Sequence, residues 1–435
     1  MRATFKNFIV FLITLEARAV LRKYKPKVIA VTGSVGKTST KDAIFAALSS
    51  EHARKSQKSF NSEVGIPLTI LGAQNAWSNP LRWLLTIIDG LFLIIFTAPY
   101  PEWLVLEVGA DRPGDIRSLS QWLRAQVVVI TRLPEVPVHV EFFDSPEAVI
   151  EEKASLINSL MPGGTLVLFG DDSRTRSLER RLPEVRGAKL LTFGFSEECD
   201  VRGEGVAALR DEKEGWPVGM TATITAGGAQ ARLDIRGALG AHAFLPALGA
   251  AAVATALGKS VGQAVSALSA YEPPAGRMHL VPGIKDTLLI DDTYNASPAA
   301  TEAALEALAL ARKPGGRTIA ALGDMLELGR VSVEEHRKLG AVCAKTCDLL
   351  VTVGFRARDI AQGALDGGLD EADILQFEDS QKAGADLQNR LQQGDVVLVK
   401  GSQGMRMERV VKELMQEPER ARDLLVRQER EWNKR

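Results

Sequence analysis

The sequence predicts an α/β protein with a central P-loop domain on a parallel sheet, a small antiparallel subdomain and a Rossmann-like C-terminal domain. The first observation is an apolar strand, Val28 to Val31, that runs through a glycine-bearing turn into a helix opening on Lys-Thr-Ser. The second is a series of continuous β-branched runs, such as residues 103–110 and 125–133, which are typical of strands buried on both faces of a parallel sheet. The third is a second alternation of strands and helices after residue 279, which favours a further sheet covered by helices.

Changes of sequence character divide the chain into three predicted parts. Residues 1–26 form an apolar and basic helix, residues 27–272 the central domain, and residues 273–435 the C-terminal domain. Within the central domain, residues 198–238 consist of short alternating segments with glycine turns, which predict the antiparallel subdomain. Paired prolines interrupt regular structure at the second boundary.

Length and composition are those of an ordinary folded protein. At 435 residues, with 46% hydrophobic and 25% charged residues, the chain is long enough for two or three domains with cores of their own. The formal net charge of −1 gives no global field that would attract nucleic acid, so no nucleic-acid partner is expected. The three cysteines include no CxxC pair, which argues against a zinc site or a disulfide framework and favours a reducing cytoplasm.

The turn after the first strand carries the pattern of a phosphate-binding loop. Backbone N–H groups at the start of the following helix carry the positive end of the helix dipole and can cradle an anion. Lys37 can reach terminal phosphates, and the Thr38 hydroxyl can ligate a magnesium ion. The match to the loop pattern lacks only its first glycine, because Val31 stands there. We therefore expect a nucleoside triphosphate to be bound by Gly33, Ser34, Gly36, Lys37, Thr38 and Ser39.

Two further groups of the central domain are candidates for metal chemistry. Glu107 ends an apolar strand and Asp111 follows it, at the edge of a parallel sheet where α/β proteins bind ligands. Beside a phosphate-binding loop, a carboxylate in that position predicts a magnesium ligand. His139 follows the next strand, and Lys153 lies one to two turns into a helix that begins near Ser145. By themselves, a single histidine and a helical lysine are more commonly structural.

Polar residues follow three strands of the C-terminal domain. Asp292 and Asn295 lie where the strand TLLIDD ends, and they could bind ribose or base edges across a domain cleft. The string GDMLELG places Asp324 after another strand, while Lys400 and Ser402 follow a third. Three polar strand ends on one side of a sheet predict a binding face, although each alone could be a helix cap.

Two apolar stretches each allow two interpretations. Residues 8–15 lie between basic residues, and residues 81–96 are interrupted by an aspartate. Both fall short of the roughly 20 apolar residues needed to span a bilayer. Each is therefore either a buried helix or a helix in a membrane interface, with Trp83 and basic residues at the polar boundary. The second interpretation predicts peripheral membrane contact through residues 1–20 and 81–98.

Several strings of this sequence resemble, in order, the signatures of the Mur ligases, the ATP-dependent amide ligases of peptidoglycan synthesis. TGSVGKTST resembles the ATP loop of the family, FNSEVGIPLTIL the segment after it, and LEVGADRPGDI the strand with the magnesium-binding glutamate. AGRMH, IDDTYNASP, LGDMLELG and LVKGSQGMRME resemble the later signatures. DDTYNASP together with GDMLELG is most similar to the MurF type, which joins D-alanyl-D-alanine to a UDP-N-acetylmuramoyl tripeptide. The resemblance runs from about residue 27 to the C-terminus.

The resemblance implies roles for individual residues. His139 matches a family histidine at a second magnesium ion, and Lys153 matches a lysine that the family carbamylates with carbon dioxide to make an anionic metal ligand. The residues expected to be catalytic are Lys37, His139 and Lys153. The ligands expected for two magnesium ions are Thr38, Glu107, His139 and carbamylated Lys153. Further contacts to ATP are expected from Arg277, Asp292 and Asn295, and contacts to the muropeptide and dipeptide substrates from Asn61, Asp324, Lys400 and Ser402.

The sequence departs from the family pattern in two places. Relatives have an asparagine four residues after a histidine, and here Pro246 stands four residues after His242, so that amide contact to the nucleotide is expected to be missing. MurF enzymes also carry an N-terminal domain that binds the UDP end of the substrate, whereas a short apolar and basic helix precedes the ATP loop here. The resemblance therefore predicts an intact catalytic apparatus without that UDP-binding domain.

Together these residues predict an ATP-dependent, ADP-forming peptide ligase. It would activate a muropeptide carboxylate as an acyl phosphate for attack by D-alanyl-D-alanine. Two alternatives stay open: the acceptor is a UDP-free or lipid-linked muropeptide at the membrane surface, or the chain is a P-loop nucleotide-hydrolysing switch without ligase activity. The expected location is the cytoplasm, with membrane association if the apolar stretches contact lipid.

Overall fold

The computed structural model describes residues 3–57, 60–76, 79–137, 139–429 and 432, without the side chains of residues 3–5. Met1 and Arg2 of the predicted N-terminal helix, and residues 430–431 and 433–435 of the predicted C-terminal domain, lie outside the described residues. The described chain contains two sheets with helices packed around them.

The first sheet has nine strands in the spatial order β2-β3-β1-β4-β5-β6-β7-β8-β9. Its strands are β1 (Lys27–Thr32), β2 (Ala53–Lys55), β3 (Trp103–Glu107), β4 (Ala125–Ile130), β5 (Leu160–Phe169), β6 (Lys189–Gly194), β7 (Val201–Arg210), β8 (Pro217–Ala226) and β9 (Ala229–Arg236). Neighbouring strands are parallel from β2 through β7, and β8 pairs antiparallel with both β7 and β9. The buried valines and isoleucines of β1 and β4 fit strands that are covered on both faces.

The second sheet has six strands in the order β10-β11-β15-β12-β13-β14. Its strands are β10 (His279–Gly283), β11 (Thr287–Asp292), β12 (Thr318–Gly323), β13 (Leu349–Val353), β14 (Ile374–Phe377) and β15 (Val396–Lys400). The pair β10 and β11 is antiparallel, whereas the remaining pairs are parallel. The predicted Rossmann-like alternation of strands and helices is therefore confirmed.

The helices cover the sheets and join their strands. They are α1 (Ala3–Tyr24), α2 (Lys37–Ala47), α3 (Gly65–Leu71), α4 (Pro80–Ile95), α5 (Asp115–Ser120), α6 (Pro146–Ala154), α7 (Ser173–Arg176), α8 (Ala241–Ala256), α9 (Val261–Leu268), α10 (Pro298–Ala311), α11 (Ser332–Thr346), α12 (Arg358–Asp366), α13 (Ser380–Arg390), α14 (Glu408–Leu414) and α15 (Ala421–Leu424). Short 3-10 helices lie at Val140–Phe142, Ser155–Ser159, Ser177–Glu184, Gly329–Val331, Glu371–Asp373, Gln403–Met405 and Pro418–Arg420.

The antiparallel strands expected between residues 198 and 238 are present, and they continue the main sheet. Phe193 and Gly194 of β6 pair with Val201 and Arg202 of β7 in parallel register, so no gap separates the parallel and antiparallel parts. This pairing covers the edge of β6 at Phe193 and Gly194, the last two residues of the strand.

One apolar core runs from the first sheet to the second. It includes Ile29 and Val127 of the first sheet, Leu288 and Ile290 of the second, and the small side chains of α8 between them. Because α8 is rich in fully buried alanines, α2 can pack closely against it. The two sheets thus share a packed apolar core.

Helix α1 packs against α3 and α4 beside a second core cluster. The predicted apolar stretches therefore form helices that contact each other. Among the described residues, no helix combines the length and the apolar character that crossing a membrane requires.

Candidate active site

The turn between β1 and α2 has a backbone that only glycine fits at its first position. Gly33 has φ +144, and a Cβ atom there would lie 2.0 Å from the Thr131 hydroxyl oxygen. The Ser34 N–H donates to the Arg132 carbonyl oxygen at 3.0 Å, which holds the turn against the end of β4. Gly36 has φ +86 and precedes α2, whose first turn carries no side-chain cap. The positive end of the α2 dipole thus faces the cavity beside the turn.

Thr38 and Glu107, which sequence analysis assigned to the metal, are in direct contact. The Thr38 hydroxyl donates to Glu107 Oε1 at 3.0 Å, and the Asn61 amide donates to the same oxygen at 3.3 Å. Arg277 Nη2 donates to Thr38 Oγ1 at 2.8 Å, although the two residues are 239 positions apart. Four of the predicted site residues therefore form one connected group at the carboxyl end of β3.

Lys153 and Lys37 are two amines on either side of the turn, the first buried and the second half-buried. Lys153 lies near the end of α6, which the Ser145 side chain caps, and its Nζ donates to Ser34 Oγ at 2.8 Å. Burial and the neighbouring Lys37 charge lower the pKa of Lys153 well below its ordinary value. Lys37 Nζ donates to the Gly33 carbonyl oxygen at 2.9 Å, and burial lowers its pKa as well. Both amines therefore lose their proton more readily than an exposed lysine does, as long as no anion is bound beside them.

His139 lies between two carboxylates from different parts of the chain. Its Nδ1 is 2.7 Å from Glu327 Oε2, and its Nε2 is 3.9 Å from Asp111 Oδ1. The His139 imidazole beside Glu327 lowers the pKa of that carboxyl group. Because Glu327 follows β12 and Asp111 follows β3, this contact joins the regions of the two sheets. His139 itself has φ +69 and precedes the short helix Val140–Phe142.

On the side of the second sheet, Lys400 and Asp292 form a buried ion pair. Lys400 Nζ donates to Asp292 Oδ2 at 2.6 Å and to the Asn295 carbonyl oxygen at 2.9 Å. The other Asp292 oxygen accepts from the Met278 N–H at 3.2 Å. These strand-end residues thus hold one another, as expected where the carboxyl ends of β11 and β15 lie side by side.

Asp324 and Ser402 use their side chains to hold loops. Asp324 Oδ1 accepts from the Ala357 N–H at 2.7 Å, next to the start of α12. Ser402 Oγ accepts from the Leu326 N–H at 2.8 Å. Both side chains are buried. Their assignment to substrate binding stays a prediction.

A cavity of about 360 Å³ lies where these groups meet. The predicted site residues that line it are Ser34, Gly36, Lys37, Thr38, Ser39, Asn61, Glu107, His139, Arg277, Asp292, Asn295 and Lys400. Gly33, Lys153, Asp324 and Ser402 do not line it, although Lys153 contacts Ser34, which does. The structure thus brings strand ends from both sheets to one cavity.

Two family models match this chain. The Mur ligase middle domain matches residues 89–254, and the domain described as Mur ligase, glutamate ligase domain matches residues 276–403. The chain belongs to the Mur ligase family. The family resemblance seen in the sequence is thereby confirmed.

Several relatives of this Mur ligase carry the name UDP-N-acetylmuramoyl-tripeptide--D-alanyl-D-alanine ligase. The Bacillus subtilis protein is 29% identical over 92% of this chain and 79% of its own length, and the Mycobacterium tuberculosis protein is 30% identical over 86% and 70%. Solved MurF structures have the same fold. MurF from Thermotoga maritima in complex with ADP has a TM-score of 0.75 at 28% identity, covering 95% of this chain and 84% of that one. MurF from Acinetobacter baumannii has a TM-score of 0.74 at 25% identity, covering 92% and 79%.

The side chains of this Mur ligase fit a magnesium ion. Glu107 Oε2 is buried without a hydrogen-bond partner, and Lys41 Nζ lies 3.6 Å from it. Carboxylate and hydroxyl oxygens such as those of Glu107 and Thr38 are ligands that magnesium prefers, and it commonly completes its shell with waters and substrate phosphates. Within the described ranges, no group of three or more His, Cys, Asp and Glu side chains lies together as a metal site made of these residue types alone would require.

Sequence reasoning missed several residues around this Mur ligase site, including Lys41 beside Glu107. Tyr294 lies under Arg277, whose guanidinium carbon is 4.1 Å from the ring centroid, and Arg427 donates to the Thr293 and Tyr294 carbonyl oxygens. Glu327 contacts His139. Tyr294 and Glu327 lie inside strings that carried the family resemblance, so those strings were the available signal. Arg427 had none, because it reaches the site from the C-terminal tail.

Proposed function

We propose that this chain is an ATP-dependent, ADP-forming ligase of peptidoglycan precursor synthesis that joins a D-alanyl-D-alanine-like dipeptide to a muropeptide. The observation that carries the proposal is the single cavity into which the phosphate-binding turn, Glu107 and the Asp292–Lys400 pair all face. The names of the relatives supply the substrate class. The same comparison makes a nucleotide-hydrolysing switch the weaker candidate.

The reaction proposed for this cavity has two steps. A carboxylate oxygen of the muropeptide attacks the γ-phosphorus of ATP, the bond to the β-phosphate oxygen breaks, and an acyl phosphate and ADP result. The dipeptide amine then attacks the acyl carbon and loses a proton, and inorganic phosphate leaves as the amide forms. Lys37 and the N–H groups at the start of α2 stabilise the negative charge on the transferring phosphoryl group. Arg277 lies close enough to Thr38 to contact the phosphates as well.

The proposed metal ligands are Thr38 and Glu107 for one magnesium ion, and His139 with carbamylated Lys153 for a second. When bound, the ions would screen the negative charges of ATP and the substrate carboxylate from each other. Glu107 is already oriented by Thr38 and Asn61. His139 would have to leave Glu327 to become a ligand, because its Nδ1 is 2.7 Å from that carboxylate.

Carbamylation of Lys153 is supported by the state of its amine. An uncharged amine nitrogen can attack carbon dioxide, lose a proton and become an N-carboxylate, whereas an ammonium group cannot. Burial and the Lys37 charge favour the uncharged form of Lys153. The resulting carboxylate would place a negative charge beside Ser34 and near Lys37, whose charge it would stabilise.

Substrate contacts are proposed for Asn61 on the muropeptide side, and for Asp324, Lys400 and Ser402 on the dipeptide side. Lys400 lines the cavity, but it is paired with Asp292. Asp324 and Ser402 accept hydrogen bonds from loop N–H groups. Contact with the dipeptide therefore requires a rearrangement of these loops, as domain closure in a ligase would provide.

ADP release tests the proposal directly. Purified full-length chain is mixed with ATP, magnesium, UDP-muramoyl tripeptide and D-alanyl-D-alanine, and ADP is measured with each component omitted in turn. We expect ADP only when both carboxylate and amine substrates are present. ADP formation that does not depend on the amine would overturn the proposal and favour the switch.

A second candidate keeps this chemistry and changes the acceptor to a UDP-free or lipid-linked muropeptide at the membrane surface, reached through residues 1–20 and 81–98. The exposed apolar side chains of α1 and α4 favour it. The same assay with UDP-free muropeptide, and with lipid-linked muropeptide in vesicles, distinguishes the acceptors. A UDP-muramoyl peptide used at a higher kcat/KM than either would exclude this candidate.

A further inference from the structure

Helix α4 turns its most apolar face away from the protein. Large hydrophobic side chains along and just beyond it are each 46% to 68% exposed: Leu81, Leu84, Leu85, Ile88, Leu91, Phe92, Ile95 and Phe96. At 100° per residue these positions share one face. The opposite face, which packs on the protein, carries the buried residues Trp83, Thr86 and Gly90. An ordinary surface helix has the reverse arrangement.

Helix α1 extends this surface. Phe8, Phe11 and Leu15 are 58%, 58% and 45% exposed and lie along one side of α1, which packs against α4. Of the seventeen large hydrophobic side chains that are exposed in the described part of the chain, eleven belong to this pair of helices. We call these eleven residues the apolar platform. A contiguous exposed surface of this kind marks an interaction site.

The backbone at both ends of α4 is already satisfied within the protein. The Asn79 side chain accepts from the N–H groups of Leu81 and Arg82 at the start. At the end, Lys23 Nζ donates to the carbonyl oxygens of residues 93, 94 and 96, and the Tyr24 hydroxyl lies 3.0 Å from the first of them. Side chains, water or ligands can satisfy such groups at helix ends, and here side chains do so. Pairing them internally is what a helix needs where water is excluded.

Basic residues are concentrated on and next to the helices that carry the platform. The first 27 residues contain seven lysines and arginines and one acidic residue, Glu16, whereas the whole chain has a net charge of −1. Lys6, Arg22 and Arg82 are exposed on the two helices, and Asp89 is the exposed acid on them within the described residues. This end of the molecule is therefore positive relative to the remainder, and it complements an anionic surface.

We infer that the apolar platform docks the protein on an anionic lipid bilayer, with α1 and α4 parallel to the membrane plane and their exposed side chains in the boundary between headgroups and acyl chains. Only one side of each helix is available, since the other packs on the protein, so both lie flat. A second copy of the chain fits less well, because a two-fold interface would bring the basic residues of one platform close to those of the other. The inference does not depend on the ligase reaction.

The platform is also linked to the active site. Lys6 Nζ of α1 pairs with Glu63 Oε1 at 2.9 Å, and Glu63 lies two residues after Asn61, which contacts Glu107. Residues 61–63 therefore join α1 to the cavity. Docking would place this side of the cavity towards the bilayer.

Vesicle flotation tests the inference. The full chain is mixed with phosphatidylcholine vesicles that either contain or lack phosphatidylglycerol, and the floated fraction is measured. The test variant carries Leu84→Gln, Ile88→Gln and Phe92→Gln. The matched control carries Leu310→Gln, Val333→Gln and Phe355→Gln, which replace exposed hydrophobic side chains elsewhere. Thermal unfolding with and without ATP and magnesium verifies that both variants are folded.

We expect the wild type and the control to float with phosphatidylglycerol vesicles and to bind them less in high salt. The platform variant should lose at least about tenfold in partitioning, because three large apolar side chains no longer enter the lipid. Equal flotation of the folded platform variant, or no flotation of the wild type, would overturn the inference. So would a wild-type dimer that binds no vesicles and that the platform substitutions dissociate in sedimentation.

Discussion

Lys153 is a buried amine held 2.8 Å from Ser34, and its pKa is well below the ordinary value. If it acts as a carbamate, replacing it removes an anion from the metal site. Lys153→Ala should lower kcat about a hundredfold or more. Formate or acetate should restore part of the activity, because a short carboxylate can occupy the vacated space.

Two controls distinguish the loss of a carbamate in Lys153→Ala from a general structural effect of the substitution. The acids should leave wild-type kcat unchanged, and they should not rescue Lys37→Ala, which loses a cation. Wild-type activity in Lys153→Ala would remove the residue from the mechanism.

Arg277 makes two contacts that a lysine cannot make together. Its guanidinium donates to Thr38 and stacks 4.1 Å above the Tyr294 ring. Arg277→Lys keeps the charge and loses the planar stack. We expect KM for ATP to rise about tenfold with a smaller change in kcat. The exposed Arg312→Lys is the matched control, and an unchanged KM in Arg277→Lys would show that Arg277 does not contact ATP.

At the scale of elements, α1 and α4 meet at an unusual buried carboxyl group. Glu16 Oε2 has no hydrogen-bond partner, and a Cβ atom on Gly90 would lie 2.2 Å from it. Burial raises the pKa of Glu16 from 4.5 to about 7. The folded chain therefore holds a proton that the unfolded chain releases between these two values, so the stability contributed by this group falls as the pH rises through that window.

Glu16→Gln should remove this pH dependence. We expect the free energy of unfolding to exceed that of the wild type above pH 7 and to approach it near pH 5, with a slope of at most ~1.4 kcal/mol per pH unit in between. Urea unfolding at several pH values measures it, with the exposed Glu102→Gln as control. A stability difference that is the same at every pH would refute the explanation.

At the scale of the whole molecule, the His139–Glu327 contact joins the regions of the two sheets. Next to this contact, the Glu141 N–H donates a backbone hydrogen bond to the Glu327 carbonyl oxygen at 3.3 Å. A partly exposed polar contact contributes about 0.2–1 kcal/mol, so this contact can bias the relative position of the two parts only modestly. Under the proposed mechanism, His139 would become available as a metal ligand only after its contact with Glu327 breaks.

Glu327→Gln should weaken this contact and loosen the nucleotide-free molecule. Small-angle scattering should then give a larger radius of gyration than for the wild type without ATP, and the same value with ATP and magnesium. Glu378→Gln, an exposed acid that pairs with Arg358, serves as the control. A radius of gyration that does not change without nucleotide would show that the contact does not hold the two parts together.

The sequence by itself determined the elements and the family. The β-branched runs and the glycine turn gave β1, β3, β4 and α2 at nearly the observed residues, because local periodicity and turn chemistry depend on neighbours in the chain. The family strings identified the Mur ligase, and twelve of the predicted site residues line one cavity. The site roles stay predictions until the substitutions above are made.

Only the tertiary structure decided which groups meet. Sequence could not show that Arg277 reaches Thr38, that Glu327 faces His139, or that Asp324 and Ser402 hold loops. It left residues 81–96 open between a buried helix and a helix in a membrane interface, because an apolar face can pack against the protein or against lipid. The fold placed Gly90 and Thr86 of α4 inward and Leu84, Ile88 and Phe92 outward.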